Sequence, residues 1–169
     1  MVQFSSIQEQ KKELKALSSA ELAEICLRLS KYKKDNKELL NYLLFHQHDP
    51  RAYIESVKSE LQAEFEHLNT QSYYCSKTLR KILRNLSRQA KYVANTELEL
   101  DMLLWFCVNY LQHVDLKTKN KSLQNILVRQ FQKMEKLSKK LHEDLQFDYQ
   151  QESDKIYKLA QETTNWFNL

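Results

Sequence analysis

The chain has no glycine and a single proline, Pro50, in 169 residues. Glycine supplies the positive φ of type II turns, hairpin turns and close backbone approaches to phosphate. A dinucleotide fingerprint, a P-loop and a nucleophile elbow therefore cannot be written in this sequence. Leu, Lys, Glu, Gln and Asn dominate while Val and Thr are scarce, which favours helix over strand throughout. The expected class is all-α. At this length the chain reads as one all-helical domain over 1–169, a bundle or short solenoid of about seven to eight antiparallel helices.

Start signals divide the chain. Ser18 with Glu21 has the spacing of a capping box, and Leu22, Ile25, Cys26, Leu29 and Tyr32 follow at helical intervals. Asp35 with Glu38 repeats the signal ahead of LLNYLLF, whose apolar residues cover most of a helical circumference and call for burial on several sides. Asp49–Pro50 opens a helix reaching about His67, because proline is tolerated in a first turn. NTQS at 69–72 breaks the pattern before a helix over 72–94, and Asn95 with Thr96 caps the next, which holds MLLWFCVNYL at 102–111. That apolar stretch is too short to span a membrane and has Glu97, Glu99 and Asp101 at its start, so it reads as a core helix. The 39–45 and 102–111 helices are expected at the centre. Beyond the polar break at 115–120, Leu123, Leu127, Phe131, Met134, Leu137, Leu141 and Leu145 keep a helical period, so 121–168 reads as one extended helix or two with a bend near 148–154.

Several clusters invite chemistry and fail on spacing. In FHQHDP, His46 and His48 diverge by about 200° on a helix and cannot face one ion unless it has unwound. A helix end with Asp49 capping the next helix is the simpler reading. Glu64 and His67 form a lone ExxH where a di-iron site needs a second such pair and two further glutamates. In LHEDLQFDYQQES, Asp144, Asp148 and Glu152 line one helical face beside His142, with no nucleophile or arginine clamp to complete an enclosed site. The cysteines Cys26, Cys75 and Cys107 lie far apart without a CxxC, and they and His113 sit in or beside apolar stripes. No cofactor or metal is expected, and a metal-dependent enzyme using 142–152 is the remote alternative.

The clearest asymmetry is KTLRKILRNLSRQAKY at 77–92. Residues 67–95 carry a net charge of +6 with no acid, whereas 1–66 and 96–169 each carry −1. Lys77, Arg80, Lys81, Arg84, Arg88 and Lys91 fall within about 100° of a helical wheel, opposite Leu79, Ile82, Leu83, Leu86, Ala90 and Val93. Arg129, Lys133, Lys136 and Lys140 repeat a 4, 3, 4 spacing later in the chain. Like charges four apart repel, so something acidic is expected to offset them. The internal candidates are Glu60 and Glu64, on a neighbouring antiparallel helix. The external ones are an acidic protein surface, a second copy, or nucleic-acid phosphate, although no nucleic-acid-binding motif accompanies the stripe and Tyr73, Tyr74 and Tyr92 do not read as a stacking platform. A lipid surface ranks last, because the apolar sector holds neither Trp nor Phe.

LSSAELAEICLRLSKYKKDNKELLNYLLF at 17–45 and LHEDLQFDYQ at 141–150, with TLRKILR between them, resemble a family of small, uncharacterised, all-helical proteins of Bacteroidetes-type bacteria over about residues 10–150. The resemblance implies a soluble cytoplasmic bacterial protein and carries no activity, cofactor or partner to any position. The unpaired cysteine pattern also fits a reduced, cytoplasmic setting. The functional expectation is a non-enzymatic interaction or scaffold module with a basic helix face, nucleic-acid binding through 77–91 being the alternative.

Overall fold

Five helix starts among the described residues are set by a side chain that accepts otherwise orphaned backbone N–H groups, those of Ser6, Ser18, Asp49, Asn95 and Asn120. A computed structural model describes residues 4–167, which form eight helices and, among the described residues, no strand. The all-α class expected from composition is the class observed. Contacts divide the chain into two compact units, one ending at His48 and one beginning at Asp49.

The first unit comprises α1 (Ile7–Ala16), α2 (Ser19–Tyr32) and α3 (Lys34–Phe45). Ser18 and Glu21 close the expected capping box on α2, and Ser6 with Glu9 builds a second on α1. Glu9 accepts the backbone N–H of Ser6 at 2.7 Å, and Glu21 accepts the hydroxyl of Ser18 at 2.6 Å and its backbone N–H at 2.8 Å; these bonds hold both carboxyls below the usual range. Only Lys33 separates α2 from α3, and Asn36 Nδ2 donates to Leu29 O across this turn at 2.9 Å. Asp35 does not cap α3 as expected. The helix begins one residue earlier, with Lys33 in the cap position, so Asp35 stands in the first turn, where its charge complements the helix dipole. The expected central burial of 39–45 is also corrected. Tyr42 is buried, but Leu43, Leu44 and Phe45 are 40%, 63% and 61% exposed. The apolar residues of α3 point in every direction around its axis, and α2 packs on one side of it.

The second unit comprises α4 (Pro50–Glu66), α5 (Ser72–Val93), α6 (Thr96–His113), α7 (Lys121–Ser138) and α8 (Glu143–Thr163). Asp49 accepts from Ala52 N at 3.0 Å with Pro50 in the first turn, and Asn95 and Asn120 cap α6 and α7. The helix α6 touches all four others. That centrality follows from its sequence: Leu98, Leu100, Met102, Leu103, Leu104, Phe106, Cys107, Tyr110 and Leu111 are all buried and take up most of its circumference, leaving a narrow strip with Glu97, Asp101 and Gln112. Around it α5 lies between α4 and α7, and α8 packs on α6 and α7. Burying each large side chain contributes about 1.5–3 kcal/mol. Two buried polar side chains find carbonyl partners. Tyr110 Oη donates to Leu123 O at 2.9 Å, and Gln124 Nε2 donates to Thr118 O at 2.9 Å.

The C-terminal segment is two helices, and the break lies at 139–142, earlier than the 148–154 expected. Lys140 and Leu141 donate their N–H groups to Leu137 O and Ser138 O in a tight turn, and His142 is extended ahead of α8. The turn needs no glycine because its backbone keeps negative φ, −60° at Lys139 and −61° at His142, and charge supports both ends. Lys136, Lys139 and Lys140 stand at the negative end of α7, and Glu143 and Asp144 at the positive start of α8. A final aromatic cluster joins Phe131, Tyr157 and Phe167, with ring centroids 4.9–5.9 Å apart, and Trp166 Nε1 donates to Leu116 O at 2.8 Å.

Candidate basic interaction face

The helix α5 is divided by its own sequence. Cys75, Leu79, Ile82, Leu86 and Ala90 are buried, so the opposite side must look outward between α4 and α7. Two contacts set the register of α5 against α7. Arg80 donates to Ser122 Oγ at 2.5 Å, and Ser87 and Lys91 line one hollow with Lys133. From Arg80 to Lys91 and from Ser122 to Lys133 is the same eleven-residue step, so the helices run parallel, side by side, over about 16 Å at 1.5 Å per residue. The two basic stripes thus belong to adjacent helices.

The internal pairing expected from Glu60 and Glu64 is realised in one place. Lys81 Nζ is 2.5 Å from Glu64, and Glu60 makes no ion pair among the described residues. On α7, Lys133 is 2.6 Å from Glu99 of α6 and serves the fold. Arg88 is half-buried and has left the exposed row. The 4, 3, 4 stripe loses its last member, since α7 ends at Ser138 and Lys140 stands in the following turn. Lys77, Arg84, Lys91, Arg129, Lys136 and Lys140 are exposed and make no ion pair among the described residues. Arg80 is also exposed and meets only a neutral hydroxyl, so its charge is not offset there.

Two members of the face escape a reading based on charge. Tyr73 and Tyr74 are 70% and 50% exposed in the first turn of α5, edge to face with ring centroids 5.2 Å apart. On the helix Tyr73 stands four residues before Lys77 and in line with Arg80 and Arg84, so the aromatic pair heads the basic row. The signal lay in their place at i−4 and i−3 from Lys77. Tyr92 is buried and takes no part.

The other clusters resolve into structural groups. Asp49 caps α4, and the ring of His113 bonds to Asn109 O through Nδ1 at 2.9 Å. Glu64 is engaged by Lys81, while His67 ends α4 with its backbone N–H on Ala63 O. His142 and Asp144 are 3.4 Å apart but 77% and 92% exposed, and Asp148 and Glu152 are exposed as well, so they enclose nothing. Among the described residues no three His, Cys, Asp or Glu side chains are grouped to hold a metal ion. No helix of the described residues is long and apolar enough to cross a membrane. No known protein family, curated protein or solved structure matches the chain.

Proposed function

We propose that this protein is a non-enzymatic helical interaction module that takes an acidic protein surface on the α5–α7 face. The observation that carries the reading is the exposed Tyr73–Tyr74 pair in line with the uncompensated Lys77, Arg80 and Arg84. Tyrosine and arginine dominate the strongly contributing positions of protein interfaces, where the ring fills a pocket and the guanidinium grips a carboxylate in two places. Arg129 and Lys136 on the neighbouring helix extend the field that would steer an acidic partner.

The test is affinity capture from a cell extract with three proteins: wild type, Tyr73→Ala, and Arg84→Glu with Lys136→Glu. A captured acidic protein released by raised salt, and weakened at least tenfold in both variants when its affinity is measured with purified partner, supports the reading. Fluorescence anisotropy with labelled RNA and duplex DNA runs in parallel. Salt-sensitive nucleic-acid binding lost in the charge variant would replace the acidic protein by a phosphate backbone. Binding of any ligand indifferent to all three substitutions would remove the face from the function.

A further inference from the structure

The acids of the second unit are as unevenly placed as its bases. Residues 141–154 hold Glu143, Asp144, Asp148, Glu152 and Asp154 without a lysine or arginine, so this stretch carries −5 against the +6 of 67–95. Its acids stand in α8, ahead of Lys155. In the first turn Glu143 and Asp144 complement the helix dipole, but Asp148 and Glu152 lie beyond that turn, where the benefit has lapsed. Like charges four apart repel, so Asp144, Asp148 and Glu152 carry the same kind of cost as the basic row. Among the described residues Asp148 and Glu152 make no ion pair, and Asp144 meets only the exposed ring of His142. Phe147, beside them, is 66% exposed.

Two rows of four side chains match. On α8 Asp144, Asp148, Glu152 and Lys155 fall within about 80° of the helix, and on α5 Tyr73, Lys77, Arg80 and Arg84 fall within about 60°. All of them are exposed. Each row takes an eleven-residue step, about 16 Å at 1.5 Å per residue. Laid antiparallel, the α8 row sets Asp144 against Arg84, Asp148 against Arg80, Glu152 against Lys77, and Lys155 against the ring of Tyr73. Carboxylates then meet cations, and the one base of the α8 row meets the one aromatic of the α5 row, whose face attracts an ammonium. Phe147 has the stems of Arg80 and Arg84 to cover. Laid parallel, Lys155 would meet Arg84, and Asp144 would meet Tyr73. Within one copy α7 packs between α5 and α8, so the two rows look out on different sides. They meet between two molecules.

Building on the reading of the basic face, we propose that the acidic surface it takes is the α8 row of a second copy of this chain, laid antiparallel on α5. The contact is heterologous, since each copy offers α5 to one neighbour and α8 to another, and it repeats head to tail. Its strength lies in exposed charges, so it weakens as salt screens them.

The experiment is sedimentation equilibrium of the full chain over a hundredfold concentration range at two ionic strengths, with circular dichroism on every variant. Wild type is expected to associate at low salt and to weaken at least tenfold at high salt. Lys77→Glu with Arg84→Glu, and separately Asp148→Lys with Glu152→Lys, are each expected to raise the dissociation constant at least tenfold with helicity unchanged. An equimolar mixture of these two variants is expected to associate again, because each keeps the row that the other has lost. Lys155→Glu is expected to weaken the contact about threefold, the worth of an exposed cation on a ring. Tighter association of Lys155→Glu overturns the antiparallel match, since a carboxylate there meets Arg84 in the parallel one. Association indifferent to either pair of substitutions, or a mixture that stays monomeric, overturns the contact between the rows. A monomeric wild type whose basic face still binds another acidic protein overturns the self-contact alone. A monomeric wild type that binds no acidic protein overturns the reading of the basic face with it.

Discussion

Lys58 on α4 and Asp101 on α6 form an ion pair in which the lysine side chain is 9% exposed and the aspartate 28%. Glu55, one turn back on α4, lies 2.9 Å from the same ammonium. The ammonium has exchanged its water for two carboxylates, so removing one leaves a nearly dry cation half-answered. Asp101→Asn should cost about 2–3 kcal/mol, less than the loss of a fully buried pair because Glu55 remains and Asp101 touches water. Lys58→Met, which removes the cation and keeps the stem, should stay within about 1 kcal/mol of wild type. Urea denaturation of both variants and of the double mutant decides it. Equal costs for the two single changes would show that packing, not charge, holds the helices here.

Burial pushes the thiols of Cys75 and Cys107 up, while Cys26 is exposed. In native protein a thiol reagent should label Cys26 at least a hundredfold faster than the other two, and all three alike in urea. The same shifts act on stability. Tyr110 is raised by burial and by its thiol neighbours, and Tyr149 is pushed up to about 12 by burial and then by Glu97 and Asp101. These groups are neutral when protonated, and the folded state keeps protons that the unfolded chain releases. Stability is therefore full below the ordinary thiol range, about pH 8.5, and falls as pH rises through it, by up to about 1.4 kcal/mol per pH unit for Cys107. Urea midpoints at pH 7, 9 and 10 should fall in that order, and Cys107→Ala should flatten the decline.

The helices were legible in the sequence wherever a cap announced them. Ser18, Asp49 and Asn95 were each visible because a side-chain oxygen sits at fixed spacing from the N–H it satisfies. The box of Ser6 and Glu9 has the same spacing, yet α1 buries no side chain, so no apolar stripe drew attention to it. The burial of 39–45 is not legible in the sequence for a related reason. Hydrophobicity reports what a helix needs, and the burial it receives depends on how many neighbours reach it.

Arg84 shows what the basic row costs the fold. It stands four residues from both Arg80 and Arg88 with no ion-pair partner of its own among the described residues. Arg84→Gln should therefore leave the protein unharmed or stabilise it by a few tenths of a kcal/mol, because like charges four apart repel by about that amount. The gain should shrink in high salt. Thermal melts at two ionic strengths measure it, and a clear loss of stability would show that Arg84 is a structural residue.

The same row was only half legible. Charge marks the six cations of 77–91 and helical spacing the four of 129–140, but sequence does not tell which neighbour lies across a groove. Lys81 and Lys133 are spent on Glu64 and Glu99 because α4 and α6 pass beside them, and Lys140 is lost to a turn marked by the change from SKK to HED. That reversal of charge, basic at one helix end and acidic at the next start, was the available sign of a break without glycine or proline.

Phe167 closes the second unit. It is 2% exposed, its ring packs on Phe131 and Tyr157, and its N–H donates to Thr164 Oγ1 at 3.2 Å. Phe167→Ala should cost about 3–5 kcal/mol, the range for a buried aromatic. Hydrogen exchange should show protection lost first along α8. A uniform loss across α4–α8 would mean that the aromatic cluster is part of one cooperative core with α6.

Ala94 is where the absence of glycine is felt. It ends α5 at φ 52° and ψ 37°, the one positive φ among the described residues, with its N–H on Ala90 O. A helix end in this left-handed conformation ordinarily carries glycine, because Cβ crowds the carbonyl oxygen there by about 1–2 kcal/mol. Glycine also loses more freedom on folding, about 0.5–1 kcal/mol, so the two terms oppose and the steric one is larger. Ala94→Gly should therefore stabilise the protein by about 0.5–1 kcal/mol, or ~3 °C in Tm for a unit of this size. Ala90→Gly, one turn earlier in the helix interior, should instead cost about 1 kcal/mol. Ala94→Val should be worse than wild type, since a β-branched side chain tolerates positive φ least. Thermal melts of the three variants give the ranking, and a loss at Ala94→Gly comparable to that at Ala90→Gly would show that α5 runs on past Val93 in solution.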